Sequence, residues 1–163
     1  MKLFGMILLL LSAAELGCLA AGSLRRRTEQ LRILRQLVIT MMAELKCTLP
    51  LIPDMLRTLA AEPSFRSIGF LQDAAANAED FPACWAQAAA RDTALTPEAR
   101  KVVETVGETL GSTALDGQLA VLELCAERLQ TLYTEQKERA DQRGRLYQSM
   151  GILSGIFFVI VLL

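Results

Sequence analysis

TPEARKVVETVGETLG, residues 96–111, carries the local signals of one helix from start to stop. Thr96 supplies a hydroxyl that can accept from a first-turn N–H, Pro97 takes the first helical position, where no donor is missed, and Glu98 faces the positive end of the helix dipole. Ala99, Val102, Val103, Val106 and Leu110 then recur at three- and four-residue steps, which places them on one face. Gly111 ends the element, because glycine enters a left-handed turn at little steric cost.

The same signals extend in both directions, and the alternation expected of strands is almost absent. On the N-terminal side, EDFPACWAQAAAR (79–91) predicts a fourth helix with Asp80 as its cap and Pro82 in its first turn. A third helix is expected over Ser64–Asn77, set off by Pro63, and a second short one opening at Pro53 or Asp54 and running through Met55, Leu56 and Leu59 to about Ala61. CTLPLIPDM (47–55) separates that helix from a long first one, in which Leu31, Leu34, Val38, Met41 and Leu45 form an apolar stripe. On the C-terminal side, a last helix starts at Leu115 or Asp116 and keeps its stripe through Leu119, Leu122, Ala126, Leu129 and Tyr133. Its surface turns polar from Thr134 to Arg145 and then runs, with only Gly144 as a weak breaker, into an apolar end. The fold class is therefore all-α: a six-helix bundle over residues 25–146, its outer two helices continuous with membrane helices at 1–24 and 147–163.

Those two ends fix the expected topology. The first apolar stretch, residues 3–24, is long enough for a bilayer at about 20 residues per crossing. A cleaved export signal fits poorly, because Arg25, Arg26 and Arg27 follow directly and favour a stop at the cytoplasmic face. A lipoprotein anchor fits poorly as well, since Glu15 stands three places before Cys18 where a small or apolar residue is needed. The second stretch, from Tyr147 to Leu163, is short for a span at roughly 25 Å of helix, but local thinning of the bilayer accommodates that. Cations flank both on the central side: Arg25, Arg26, Arg27, Arg32 and Arg35 after the first, Lys137, Arg139, Arg143 and Arg145 before the second. By the positive-inside rule the central region is cytoplasmic and both termini lie on the far side.

Glu15 raises a local question. It sits nine residues in from Leu24, about 13 Å of helix, where an unpartnered carboxylate costs roughly 2.5–3.5 kcal/mol. Ser154, eight residues in from Leu146, falls at a matching depth of about 12 Å on the opposed span. Gly151 and Gly155 beside it form a small-residue pattern that permits close helix packing. Glu15 is thus expected to be protonated or hydrogen-bonded, either to Ser154 or to a membrane helix of another subunit. Ala13 and Gly17 lie on the helix face opposite Glu15, so packing of that small face on the second span would turn Glu15 outward.

Enzyme chemistry finds little support. The chain has no histidine, which removes the usual general base and the commonest zinc ligand. Cys18, Cys47, Cys84 and Cys125 are too far apart for a C-x-x-C motif and are expected as small buried hydrophobes in a reducing compartment. GETLGST (107–113) has too few residues between its glycines for a phosphate loop, lacks the lysine, and follows a helix instead of a strand. Glu104, Glu108 and Asp116 give no sign of a paired acid–base set. A net charge of −1 shows no basic bias toward nucleic acid. No cofactor or metal is expected.

The order of parts over nearly the whole chain resembles the stage III sporulation protein AB family of endospore-forming bacteria. The resemblance is carried by a membrane helix and basic LRRR, then QLRILRQLVITMMAEL and LPLIPDMLRTLA, the glycine-containing junction VGETLGSTALDGQ (106–118), and the closing LYQSMGILSGIFFVIVLL. One departure is Ala114, where the family often has an aspartate; Asp116 is expected to take over capping there. The resemblance implies a cytoplasmic domain similar in fold to the platform proteins of type II secretion and type IV pilus machines. It also implies a place in the outer forespore membrane facing the mother cell, within the channel between the two cells. The implied partners are a cytosolic secretion-type ATPase and other membrane subunits of that channel. The family pattern commonly has a glutamate where Glu44 stands, and Glu44, with Asp54 and Arg57 beside it, is the candidate contact surface. A membrane-tethered scaffold or regulator that binds a cytosolic protein without any motor is the alternative reading.

Overall fold

The computed structural model describes the backbone of residues 26–162 and the side chains of residues 26–142. Among these residues the chain is all-helical, without a strand. The elements are α1 (26–47), α2 (Ile52–Ala61), a 3-10 turn at Pro63–Phe65, α3 (Gly69–Ala76), a second 3-10 turn at Ala78–Asp80, α4 (Ala83–Arg91), α5 (Pro97–Thr109) and α6 (Leu115–Leu162). The chain divides into two units. One is Arg27–Thr134; the other joins Met1–Arg26 to Glu135–Leu163, where the backbone of α6 is helical as far as Leu162.

The Arg27–Thr134 unit is built on the predicted stripes. Leu31, Leu34, Val38, Met41 and Leu45 of α1 are buried, and Leu37 joins them. Met55, Leu56 and Leu59 of α2, the five positions read on α5, and Leu122, Ala126 and Leu129 of α6 are buried too. The short helices pack in sequence, α2 on α3, α3 on α4 and α4 on α5. At the centre, Leu37 and Met41 of α1, Phe70 of α3, Trp85 of α4, Val106 of α5 and Leu129 of α6 surround a void of only about 10 Å³, so the core is closely packed.

The α5 signals hold in detail. Thr96 Oγ1 accepts from Ala99 N–H at 3.2 Å, Pro97 opens the helix, and Gly111 adopts φ +77° just beyond it. Two expectations are corrected. The third helix is not continuous over Ser64–Asn77: Pro63–Phe65 is a 3-10 turn, Ile68 is extended, and α3 begins at Gly69. The break lets Phe65 and Ile68 both enter the core, and α3 is held at its start by Asp92, whose Oδ2 accepts from Phe70 N–H at 3.4 Å. Asp80 does not cap α4. It ends the second 3-10 turn, and Pro82 precedes α4 without a side-chain cap.

Among the described residues no helix is long and apolar enough to cross a membrane. The stretch 3–24, Glu15 included, lies outside the described residues, and so do the side chains of Gly151, Ser154 and Gly155 on α6.

Candidate partner-binding site

The three candidate contact residues frame the junction between α1 and α2. Glu44 is half-buried near the end of α1, and its carbonyl accepts from the N–H of Thr48 at 2.9 Å and its hydroxyl at 3.0 Å. The Thr48 hydroxyl also lies 3.3 Å from Glu44 Oε2, so the carboxylate rests over the helix end. Beyond the junction, Arg57 on α2 meets Asp54 at 3.5 Å and pairs with Glu79 of the second 3-10 turn. The structure thus brings Asp54 and Arg57 together, adds Glu79 to them, and gives Glu44 to Thr48. Arg57 and both its partners are exposed, so solvent screens both pairs and they add little to stability.

Between these groups lies an unusual turn. Leu49 has φ +45°, the left-handed region, immediately after the α1 terminus. Glycine normally fills that place; a residue with a Cβ costs about 1–2 kcal/mol more there. Packing does not offset the cost, since Leu49 is 63% exposed and Leu51 is 73% exposed. Their neighbour Ile52 reaches the Gly111 turn, where a Cβ on Gly111 would lie 2.7 Å from Ile52 Cδ1. The α1–α2 and α5–α6 junctions therefore meet at one end of the Arg27–Thr134 unit.

The second junction is held by Gln118. Its Oε1 accepts from Gly111 N–H at 3.1 Å and its Nε2 donates to the Thr113 carbonyl at 2.7 Å. Asp116 does not become the cap that Ala114 lacks; it lies in the first turn of α6, and the carbonyl of Ala114 accepts the helix's opening bond from Gln118 N–H at 3.0 Å. Beneath the junction, Trp85 lies against α5. A Cβ on Gly107 would fall 2.2 Å from Trp85 Cδ1, and the indole N–H donates to the Val103 carbonyl at 2.7 Å. Phe70 meets the same indole edge to face, with centroids 5.1 Å apart. Sequence reasoning misses this contact, although a glycine inside a helix costs about 1 kcal/mol and so signals a packing demand.

An open cleft of about 330 Å³ lies between α3 and α4, lined by Asp73, Asn77, Asp80, Cys84, Gln87 and Arg91 among others. Burial pushes the Cys84 thiol above its usual value, and Sγ donates to the Ala74 carbonyl at 3.8 Å, so the thiol is held protonated and is a poor nucleophile. The thiols are not uniformly buried as expected: Cys125 is buried, Cys84 half-buried and Cys47 exposed at the end of α1, while Cys18 lies outside the described residues. Among the described residues no group of three or more His, Cys, Asp or Glu comes together as a metal site.

The model of one protein family, stage III sporulation protein AB, matches residues 2–163. The chain belongs to that family. The match takes in the junction Val106–Gln118, where Gly107 admits the indole, Gly111 makes the left-handed turn and Gln118 bridges it. Membership places the chain in stage III of sporulation. No curated protein and no solved structure matches it.

Proposed function

We propose that the chain is a non-enzymatic membrane platform subunit of the channel between mother cell and forespore, coupling a cytosolic secretion-type ATPase to the membrane complex. The observation that carries this reading is family membership over residues 2–163, joined to an all-helical unit whose sequence is bounded by two apolar, cation-flanked ends. Residues 1–24 and 147–163 are the two spans, the region between them is cytoplasmic, and both termini lie on the far side. A cytosolic ATPase can reach only a cytosolic domain, so the charge-derived orientation and the proposed partner agree. Glu44, Asp54 and Arg57 mark the contact face. Inside the bilayer, Glu15 meets Ser154 or the helix of another subunit, and Gly151 and Gly155 allow close packing. The test is co-purification of the chain with the ATPase in the presence of ATP, of ADP and without nucleotide. Nucleotide-dependent recovery supports motor coupling. Recovery that ignores nucleotide assigns the chain to a tethered scaffold, and no recovery removes the platform reading.

A further inference from the structure

Charge in the Arg27–Thr134 unit is divided between its ends. Residues 27–35, 66–68 and 91–101 carry seven Arg or Lys against three Asp or Glu, whereas the rest of the unit carries three against eleven. The fold gathers the three basic segments at one end. Gln30 and Ile33 of α1, Ser67 and Ile68 before α3, and Asp92 and Leu95 before α5 line one small gap, and Arg100 Nη2 donates to the Asp92 carbonyl at 3.0 Å. α5 packs along α1 in the same direction, since Ile52 and Gly111 meet at the other end. The three carboxylates do not neutralise this end. Glu29 is taken by Arg32, the Asp92 carboxylate accepts from the N–H groups of Phe70 and Ala94, and Glu98 lies in the first turn of α5. Arg27, Arg66 and Lys101 are exposed, and no ion pair among the described residues includes them. Arg91 is exposed as well but shares its cleft with Asp73 and Asp80.

The apolar stretch 3–24 ends three residues before Arg27, so the basic end begins within one helical turn of a segment long enough to cross a bilayer. We propose that this end of the unit docks on anionic lipid headgroups. Arg66 and Lys101 then add contacts from segments remote in sequence from either apolar end. The proposal rests on the reading of residues 1–24 as a span and adds a headgroup site beside it. The same lipid surface repels the acidic remainder of the unit, so charge turns the α1–α2 and α5–α6 junctions toward the cytosol.

The experiment places the full chain in nanodiscs that carry a small fraction of headgroup-photoreactive phosphatidylglycerol or phosphatidylcholine. Adducts are mapped along the chain, and alkaline extraction of membranes tests the span in parallel. Residues 64–70 and 97–101 should react about fivefold or more with the anionic probe over the neutral one, and residues 110–118 with neither. Arg66→Glu and Lys101→Glu should each lower the anionic adducts by about fivefold or more, with thermal midpoints near wild type because both side chains are exposed. Lys46→Glu, at the other end of α1, should change nothing. About 0.5 M salt should remove the preference by screening. Equal reaction with both probes, no adducts in these segments, or adducts that both charge reversals retain overturns the docking. The span stands in each of those cases if the chain resists alkali. Release by alkali overturns the span and the docking with it. RNA that displaces the adducts at low salt assigns the basic end to nucleic acid and overturns the lipid assignment.

Discussion

Among the described glycines with a close neighbour, Gly107 is the most tightly approached, by Trp85. The indole occupies the space where any Cβ at position 107 would stand, and it satisfies its N–H on the α5 backbone. Gly107→Ala must displace the ring, and displacement breaks that bond in a buried setting. Overpacking and an orphaned donor together predict a loss of about 2–4 kcal/mol, seen as a fall of roughly 10 °C or more in thermal midpoint. Alanine elsewhere in an exposed helix would instead stabilise slightly, so the sign of the change is itself the check. Cys125 supplies a second prediction. Burial raises its thiol pKa above the usual 9.0. The unfolded chain therefore releases that proton first as pH rises, and stability falls from about pH 9 upward through the folded-state value. With no histidine in the chain, little change is expected between about pH 6 and 8. Urea unfolding across pH should show the alkaline fall, and Cys125→Ala should reduce it.

At the level of elements, the α5–α6 junction depends on one glutamine that bridges both sides of a turn. Gln118→Ala removes an acceptor from Gly111 and a donor from Thr113, for an expected loss of about 1 kcal/mol in this exposed setting. Gln118→Glu keeps the acceptor and should lose less; equal midpoints for all three chains would show that the turn holds itself. The junction also explains which elements are legible in the sequence. α5 is legible because Thr96, Pro97, Glu98 and Gly111 act within one turn of where they stand. The break at 66–68 is not, because Phe65, Ile68 and Leu71 keep a three-residue spacing shared by 3-10 and α-helix, and the group that starts α3 is Asp92, far along the chain. Asp80 has the chemistry of a cap for α4, yet the preceding chain closes on itself as a 3-10 turn whose Glu79 reaches back to Arg57. Of the candidate contact face, Glu44, Asp54 and Arg57 are legible as charges around a proline-rich turn. Glu79 and the left-handed Leu49 are not, because a pairing 22 residues distant and a φ value leave no local mark.

At the scale of the whole molecule, the proposed coupling requires that motion of the cytoplasmic unit reach the bilayer through its outer helices. α6 has no interruption in its backbone from Leu115 to Leu162, and the sequence before α1 offers no proline between Arg27 and the first apolar stretch. A helix propagates displacement along its axis as long as its hydrogen-bond ladder is intact; a glycine in that ladder costs about 1 kcal/mol relative to alanine and loosens it. A Gly-Ser pair inserted after Arg27, and separately after Arg145, should therefore leave membrane insertion, domain stability and ATPase binding near wild type while lowering the yield of heat-resistant spores. In the proposed arrangement, an Ala-Ala pair at the same places keeps the ladder but rotates each apolar end relative to its outer helix by about 200°. If stiffness is what matters, Ala-Ala should retain more spores than Gly-Ser; if the facing of Glu15 or Ser154 toward a neighbour matters more, the two insertions should fail alike. Full spore yield with Gly-Ser at both positions would end the mechanical reading, because a chain that tolerates a loose joint at each outer helix cannot be carrying force through them.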